Sequence, residues 1–363
     1  MLSKPTLLLD VDKCKANIKK MAEKARKNNI EFRPHFKTHQ SHEIGEWFRA
    51  EGVNKITVSS VAMANYFFNS GWKDITIAFP INILEIESIN KLAASVRLNI
   101  LVESVEIVEL LEKQLTTQVN AFIKINIGNN RAGIEPENID LISQVASKIT
   151  ETKKLTFKGF LGHAGHSYAC RSQKETSYVH NKSIEKMTQL KKLFVEQYPN
   201  LILSVGDTPT CTTMNDFSMV DEFRPGVFVF HDSMQLQIGS CNLNEIAIAM
   251  ACPVVAIHKD KNEIIIYGGS VHFASDRLID QDGTVIFGKV VEDKGSGWGN
   301  IIKNVYVKKL SQEHGILKAT SEFIENIKIG DIIKIIPVHA CTTSNLFETY
   351  LTLDNEKIER FRL

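Results

Sequence analysis

No apolar run in these 363 residues approaches the roughly 18 residues that a membrane span needs. The apolar stretch Leu7-Leu8-Leu9 is too short for a signal peptide, and Asp10 ends it. Net charge is equally lacking, since 43 basic against 42 acidic side chains leave +1. Without a charge excess there is no electrostatic footprint for nucleic acid or for an anionic membrane surface. Paired cysteines are missing too: Cys14, Cys170, Cys211, Cys241, Cys252 and Cys341 stand singly, with no CxxC. That spacing argues against a disulfide framework and for a reducing compartment. No solenoid-type repeat recurs, and no Pro- or Ser-rich linker interrupts the chain. The expectation is a cytoplasmic protein with no nucleic-acid or membrane partner.

What is present is an ordinary globular composition, 43% hydrophobic and 23% charged. At about 150 residues per domain, the length suggests two domains. Up to residue 235, short β-branched runs alternate with helical stretches. The runs at 30–33, 55–58, 74–78, 98–102, 121–127, 155–163, 202–205 and 222–230 read as strands. Helices are expected at 60–70, 104–115 and 137–149, with Ser104 as an N-cap. Eight strand–helix units suit a (β/α)8 barrel, although a doubly wound sheet would show the same alternation. From 236 to 363 the texture changes to short β-rich runs at 254–258, 263–267, 284–289, 305–309 and 332–337. Asp260-Lys261-Asn262 and Gly295-Ser296-Gly297-Trp298-Gly299-Asn300 read as turns between them. The division is therefore expected to be a barrel over 1–235 and a β-rich domain over 236–363.

Several segments could carry chemistry. Pro34-His35-Phe36-Lys37-Thr38-His39-Gln40-Ser41-His42 follows the first barrel strand. Its residues leave three readings open: a solvated basic loop, a metal site from His35, His39 and His42, or a Schiff-base lysine at Lys37. Asn126-Ile127-Gly128-Asn129-Asn130-Arg131-Ala132-Gly133 is a Gly-rich turn presenting Arg131. Gly162-His163-Ala164-Gly165-His166-Ser167-Tyr168-Ala169 contains a stretch that imitates a hydrolase nucleophile elbow at Ser167, with Ala169 in place of the last glycine. Gly206-Asp207-Thr208 and Arg224-Pro225-Gly226-Val227 lie where barrels form phosphate cups, and either could equally be a plain turn. In Pro337-Val338-His339-Ala340-Cys341, an extended backbone would point His339 and Cys341 to one face. Imidazole plus thiolate suits zinc, and a buried cysteine beside a hydrogen-bonded histidine is the bland alternative.

The motif Pro34-His35-Phe36-Lys37-Thr38-His39 resembles the lysine motif of the fold-type III pyridoxal-phosphate enzymes, in the D-serine dehydratase and D-threonine aldolase branch. The other motifs follow in that family's order along nearly the whole chain. The resemblance implies an alanine-racemase-type (β/α)8 barrel followed by a β-rich C-terminal domain. It makes Lys37 the lysine that carries pyridoxal 5'-phosphate, places Arg131 near the cofactor's phenolic oxygen, and lines the mouth with His163 and Tyr168. It further assigns Thr208, Gly226 and Val227 to the phosphate and Arg224 to the pyridine nitrogen. His339 and Cys341 become ligands of a divalent metal, zinc by the softness of the thiolate. The aldolase branch carries aspartate where this chain has Cys341, so the implied reaction is loss of water from D-serine or a close D-β-hydroxy amino acid. Proteins of this fold are dimers, and a homodimer is expected by the same resemblance. The alternatives are a D-threonine aldolase, a non-catalytic pyridoxal-phosphate-binding barrel, and a hydrolase using Ser167.

Overall fold

A computed structural model describes residues 2–280 and 282–362. The first strand, β1 (Thr6–Leu9), stands apart from the eight that follow. These are β2 (Glu31–Phe32), β3 (Ile56–Val58), β4 (Asp74–Pro80), β5 (Arg97–Val102), β6 (Val119–Ile125), β7 (Leu155–Gly162), β8 (Ile202–Val205) and β9 (Glu222–Phe223). They form a parallel sheet in the order β2-β9-β8-β7-β6-β5-β4-β3. Its two edges meet: Thr57 N–H donates to the Pro34 carbonyl at 2.9 Å, and Phe36 N–H donates to the Thr57 carbonyl at 2.8 Å. The sheet is a closed (β/α)8 barrel.

The helices begin where short polar side chains replace missing backbone partners. Ser60 accepts from Met63 N–H, Ser104 from Ile107 N–H, Asn138 from Leu141 N–H and Ser172 from Glu175 N–H. The last barrel strand is shorter than its β-branched pattern suggests. It stops at Phe223, and Val227–Val229 form a 3-10 turn. Pro225 lacks an N–H for a ladder, and Gly226 lets the chain turn tightly. A Cβ there would stand 2.9 Å from the His35 carbonyl oxygen.

Compact packing divides the chain into Lys19–Gly226 and a second unit that joins the residues through Ile18 to Val227–Arg362. By packing the division falls at 226/227, and the second unit takes the N-terminus. The cause is long-range pairing: β1 runs antiparallel to β10 (Ile248–His258) and parallel to β18 (Thr349–Thr352). The remaining strands are β11 (Glu263–Tyr267), the short pair β12 (Leu278–Ile279) and β13 (Val285–Ile286), β14 (Gly288–Lys294), β15 (Gly297–Leu310), β16 (His314–Lys318), β17 (Ile332–Pro337) and β19 (Lys357–Glu359). The large sheet runs β11-β16-β15-β14-β17-β10-β1-β18-β19, and β10 also pairs with β11, so six strands close on themselves. Leu8, Ile246, Ala249, Ala251, Val291, Trp298 and Ile336 form one of this unit's apolar clusters. The expected turn over 295–300 is confined to its first residues, because Gly297 already starts β15. Among the described residues no helix is long and apolar enough to cross a membrane.

Candidate active site

The mouth of the barrel gathers basic groups. Lys37 lies in the turn after β2, and its amide donates to His35 Nδ1 at 3.4 Å. His163 directly follows β7 and hydrogen-bonds the Gly206 carbonyl through Nδ1. Arg224, buried beyond β9, donates through Nε to Ser204 Oγ and through Nη2 to the Gly162 carbonyl, each at 2.6 Å. Ser204 in turn donates to Glu222 at 2.6 Å, and Glu222 accepts from Arg33 at 2.6 Å. This chain of charge-assisted bonds crosses four strands and fixes the direction of the Arg224 guanidinium.

Electrostatics shows how closely these groups stand. Enclosure lowers His35 well below the usual imidazole range, and the charges of Lys37, Arg224 and Arg131 push it further. His163 falls to about 3, from enclosure first and Lys37 second, against a smaller opposing effect of the Gly206 carbonyl. Both rings are neutral at physiological pH. Burial brings even Arg224 down to about 10, leaving it charged.

Lys124, which the sequence reading passed over, belongs to the same group. It is buried on β6, donates to the Ile125 carbonyl at 3.0 Å, and is lowered to about 7 by burial and then by Arg224. A lone lysine inside the apolar run Ala121-Phe122-Ile123-Lys124-Ile125 was the available signal. The unfolded chain binds this proton up to about pH 10.5 and the folded chain only up to about 7. Folding stability of the cofactor-free protein therefore rises as pH climbs through that window, and the penalty is fully present below it. Lys124→Met should raise the melting temperature of cofactor-free protein most at pH 6–7 and flatten the pH dependence above 7, measured by thermal scans.

Arg131 is exposed in the loop after β6. That loop is tightly built: Asn126 Oδ1 accepts from Gly128 and Asn130 amides, and Glu103 accepts from Gly133 N–H at 2.9 Å. Gly133 has φ +111°, and an added Cβ would lie 2.6 Å from Asn126 N. Only glycine fits there.

Beyond β8, Asp207 is fully buried and caps the short helix Thr208–Thr213. It accepts from Thr210 N–H at 2.8 Å, from Thr210 Oγ1 at 2.7 Å and from Ser167 Oγ at 2.7 Å. Burial pushes its carboxyl up, and these donors oppose the shift. The same contacts bring Tyr168 beside Thr208, whose N–H reaches the tyrosine oxygen at 3.5 Å. Ser167 is fully buried as a donor to a carboxylate, which is the opposite of an exposed nucleophile. A serine-directed covalent probe should leave Ser167 unlabelled, and Ser167→Ala should cost about 1–3 kcal/mol by stripping a donor from a buried carboxylate.

The three histidines after β2 do not converge as a metal site. His39 is fully buried against Phe36, with ring centroids 4.4 Å apart, whereas His42 stacks on Tyr66 at 3.7 Å. The structure thus brings Lys37, His163, Arg224 and Arg131 within electrostatic reach of His35, adds Tyr168 and Thr208 as a contacting pair, and seats Gly226 against His35 and Thr38. Such an excess of positive charge fits an anionic, phosphate-bearing cofactor. Val227 opens the other unit, buried at the start of its 3-10 turn.

The His-x-Cys pair lies in that other unit. The backbone is not extended through it: β17 ends at Pro337 and the helix Ala340–Ser344 begins at once. His339 sits at the N-cap position and Cys341 in the first turn, so the turn, rather than strand alternation, brings the two side chains into hydrogen-bonding contact. Burial alone would lower His339, but Asp276 and Cys341 prevail and raise it to about 11. Among the described residues, no group of three or more His, Cys, Asp or Glu is arranged to hold a metal.

Comparison with known proteins gives this geometry a family. The family described as alanine racemase, N-terminal domain, matches residues 9–234. The chain belongs to that family. Residues 247–353 match a second description, putative serine dehydratase domain. A D-serine dehydratase of Dictyostelium discoideum is 28% identical over 387 residues, covering 98% of this chain and 94% of that protein. The D-threo-3-hydroxyaspartate dehydratase of Delftia sp. (strain HT23) is 26% identical, covering 97% of this chain and 94% of that enzyme. The solved structure of the Delftia enzyme superimposes with a TM-score of 0.92, at 25% identity, over 100% of this chain and 98% of that one. The alanine-racemase-like fold with a β-rich C-terminal unit is therefore established, as is membership in the fold-type III group.

Proposed function

We propose that this chain is a lyase that removes water from D-serine, or a close D-β-hydroxy amino acid, to give a 2-oxo acid and ammonia. Pyridoxal phosphate, when bound, supplies a carbonyl for the substrate amine and a sink for the Cα electrons, and a divalent metal supplies a Lewis acid for the departing hydroxyl. Lys37 would hold the cofactor covalently, and its amine, when free, would take the Cα proton as general base. His163 is neutral and cannot compete as an acid. Arg224 presents a fixed positive charge that disfavours protonation of a neighbouring ring nitrogen. Thr208, Gly226 and Val227 bind phosphate, Tyr168 packs beside Thr208, and Arg131 pairs with the phenolic oxygen. His339 and Cys341 hold the metal.

The observation that carries this reading is Cys341 in contact with His339. A thiolate–imidazole pair favours zinc over the harder ions that an aspartate would favour. The full-length likeness to a D-serine dehydratase supports it. In this reading the protein works in the cytoplasm, where six unbridged cysteines are at home, and it does so as a homodimer. Ammonia release should be seen with D- but not L-enantiomers of β-hydroxy amino acids. Cofactor binding without turnover of any of them would leave a non-catalytic carrier instead.

A further inference from the structure

Asp276 lies 63 residues before His339 in sequence, yet its carboxylate meets both sides of the His-x-Cys turn. Oδ1 stands 3.3 Å from His339 Nδ1, and Oδ2 accepts from the Thr342 hydroxyl at 2.6 Å. Cys341 is thus bracketed by two residues bound to one carboxylate. A second carboxylate, the buried Asp232, accepts from Ala340 N–H at 2.8 Å and from Gln235 N–H at 2.8 Å, so the residue between the two proposed ligands is anchored as well. Asp276 contacts a ligand without completing a three-residue metal group among the described residues.

We propose that Asp276 is a positioning residue that orients His339 through Nδ1 and so sets the affinity of the His339/Cys341 pair for a divalent ion. With Nδ1 committed to the carboxylate, the ion takes Nε2. A carboxylate partner fixes both tautomer and ring orientation and makes the ligating nitrogen more basic. The hydroxyl of Thr342 holds the other carboxylate oxygen, which keeps Asp276 from swinging into the coordination sphere itself. This inference rests on the metal reading of His339 and Cys341 given above.

The test is zinc affinity by chelator competition on the full-length, cofactor-loaded protein. Asp276→Ala should weaken binding about 10- to 100-fold, and Asp276→Asn, which keeps an acceptor for Nδ1–H, should recover part of that loss. Thr342→Val, which frees the second oxygen, should weaken zinc binding less than Asp276→Ala and supplies the measurement if the alanine variant fails to fold. The visible absorbance of the bound cofactor should be unchanged in all three. Wild-type zinc affinity in the Asp276 and Thr342 variants, together with lost affinity in Cys341→Ala, would overturn the positioning role and keep the metal site. Unchanged affinity in Cys341→Ala as well would overturn both.

Discussion

Lys37→Ala should lose the visible absorbance of covalently held cofactor and all measurable turnover while remaining folded. Two contributions disappear together. In the proposed reading the side chain is the covalent attachment point and also the base at Cα, a role that alone is worth about a hundred- to ten-thousand-fold. Stability should not suffer, because Lys37 stands among like charges. Its charge is the second cause, after enclosure, of the depression of both His35 and His163. Both rings are neutral at physiological pH, so they do not depend on that charge, and the melting temperature of cofactor-free protein should hold. Loss of the Lys37 charge should move the His163 titration upward from about 3, visible by NMR of the ring. Retained covalent cofactor in this variant would point to another amine, and Lys124, also at the mouth and titrating near 7, is the first to examine.

Chelation should abolish turnover without releasing the cofactor, and zinc should restore it. The two clusters belong to separate structural units: Lys37, His163 and Arg224 to the barrel, and His339, Cys341 and Asp276 to the β-rich unit. Loss of metal should therefore leave the absorbance of the barrel-bound cofactor in place. Cys341→Ala removes one of the two proposed ligands, and its metal affinity should fall by more than the about 10- to 100-fold typical of an outer partner. Cys341→Asp should keep a divalent site but shift its preference from zinc towards manganese or magnesium, since carboxylate oxygen is the harder donor. Metal content and turnover after dialysis against each ion measure both effects. Full activity in the presence of a strong chelator, with no metal bound, would remove the Lewis acid from the account.

The sequence disclosed local features well and long-range ones poorly. Ser104 caps its helix as expected, since an N-cap is a matter of four consecutive residues, and the helix expected over 60–70 starts just after Ser60, which caps it. Seven of the eight barrel strands follow their β-branched runs closely, whereas 222–230 does not. Val227-Phe228-Val229-Phe230 has a strand's composition but follows Arg224-Pro225-Gly226, and the break outweighs the propensity. β1 was invisible as part of the second unit because its partner β10 lies some 240 residues away, and nothing in Thr6–Leu9 announces it. The candidate residues at the mouth were legible as motifs, and Lys124 could have been found as a charge in a buried strand. Asp276 and Asp232 could not, because their partners are set by tertiary contact alone. The pairing of His339 with Cys341 was expected for a mistaken reason. A strand would have aligned them, but a helix start does.

Product identity from paired incubations with D-serine and D-threonine tests the central claim most directly. Dehydration and aldol cleavage begin on the same substrate amine and the same Lys37, so the barrel does not choose between them. The fate of the β-oxygen does: in one reaction the whole hydroxyl leaves as water, in the other it only loses its proton and the Cα–Cβ bond breaks. A zinc-loaded protein should convert D-serine to pyruvate and ammonia in equal amounts, with L-serine untouched. Glycine and acetaldehyde from D-threonine, with D-serine inert, would contradict the account and make the protein an aldolase.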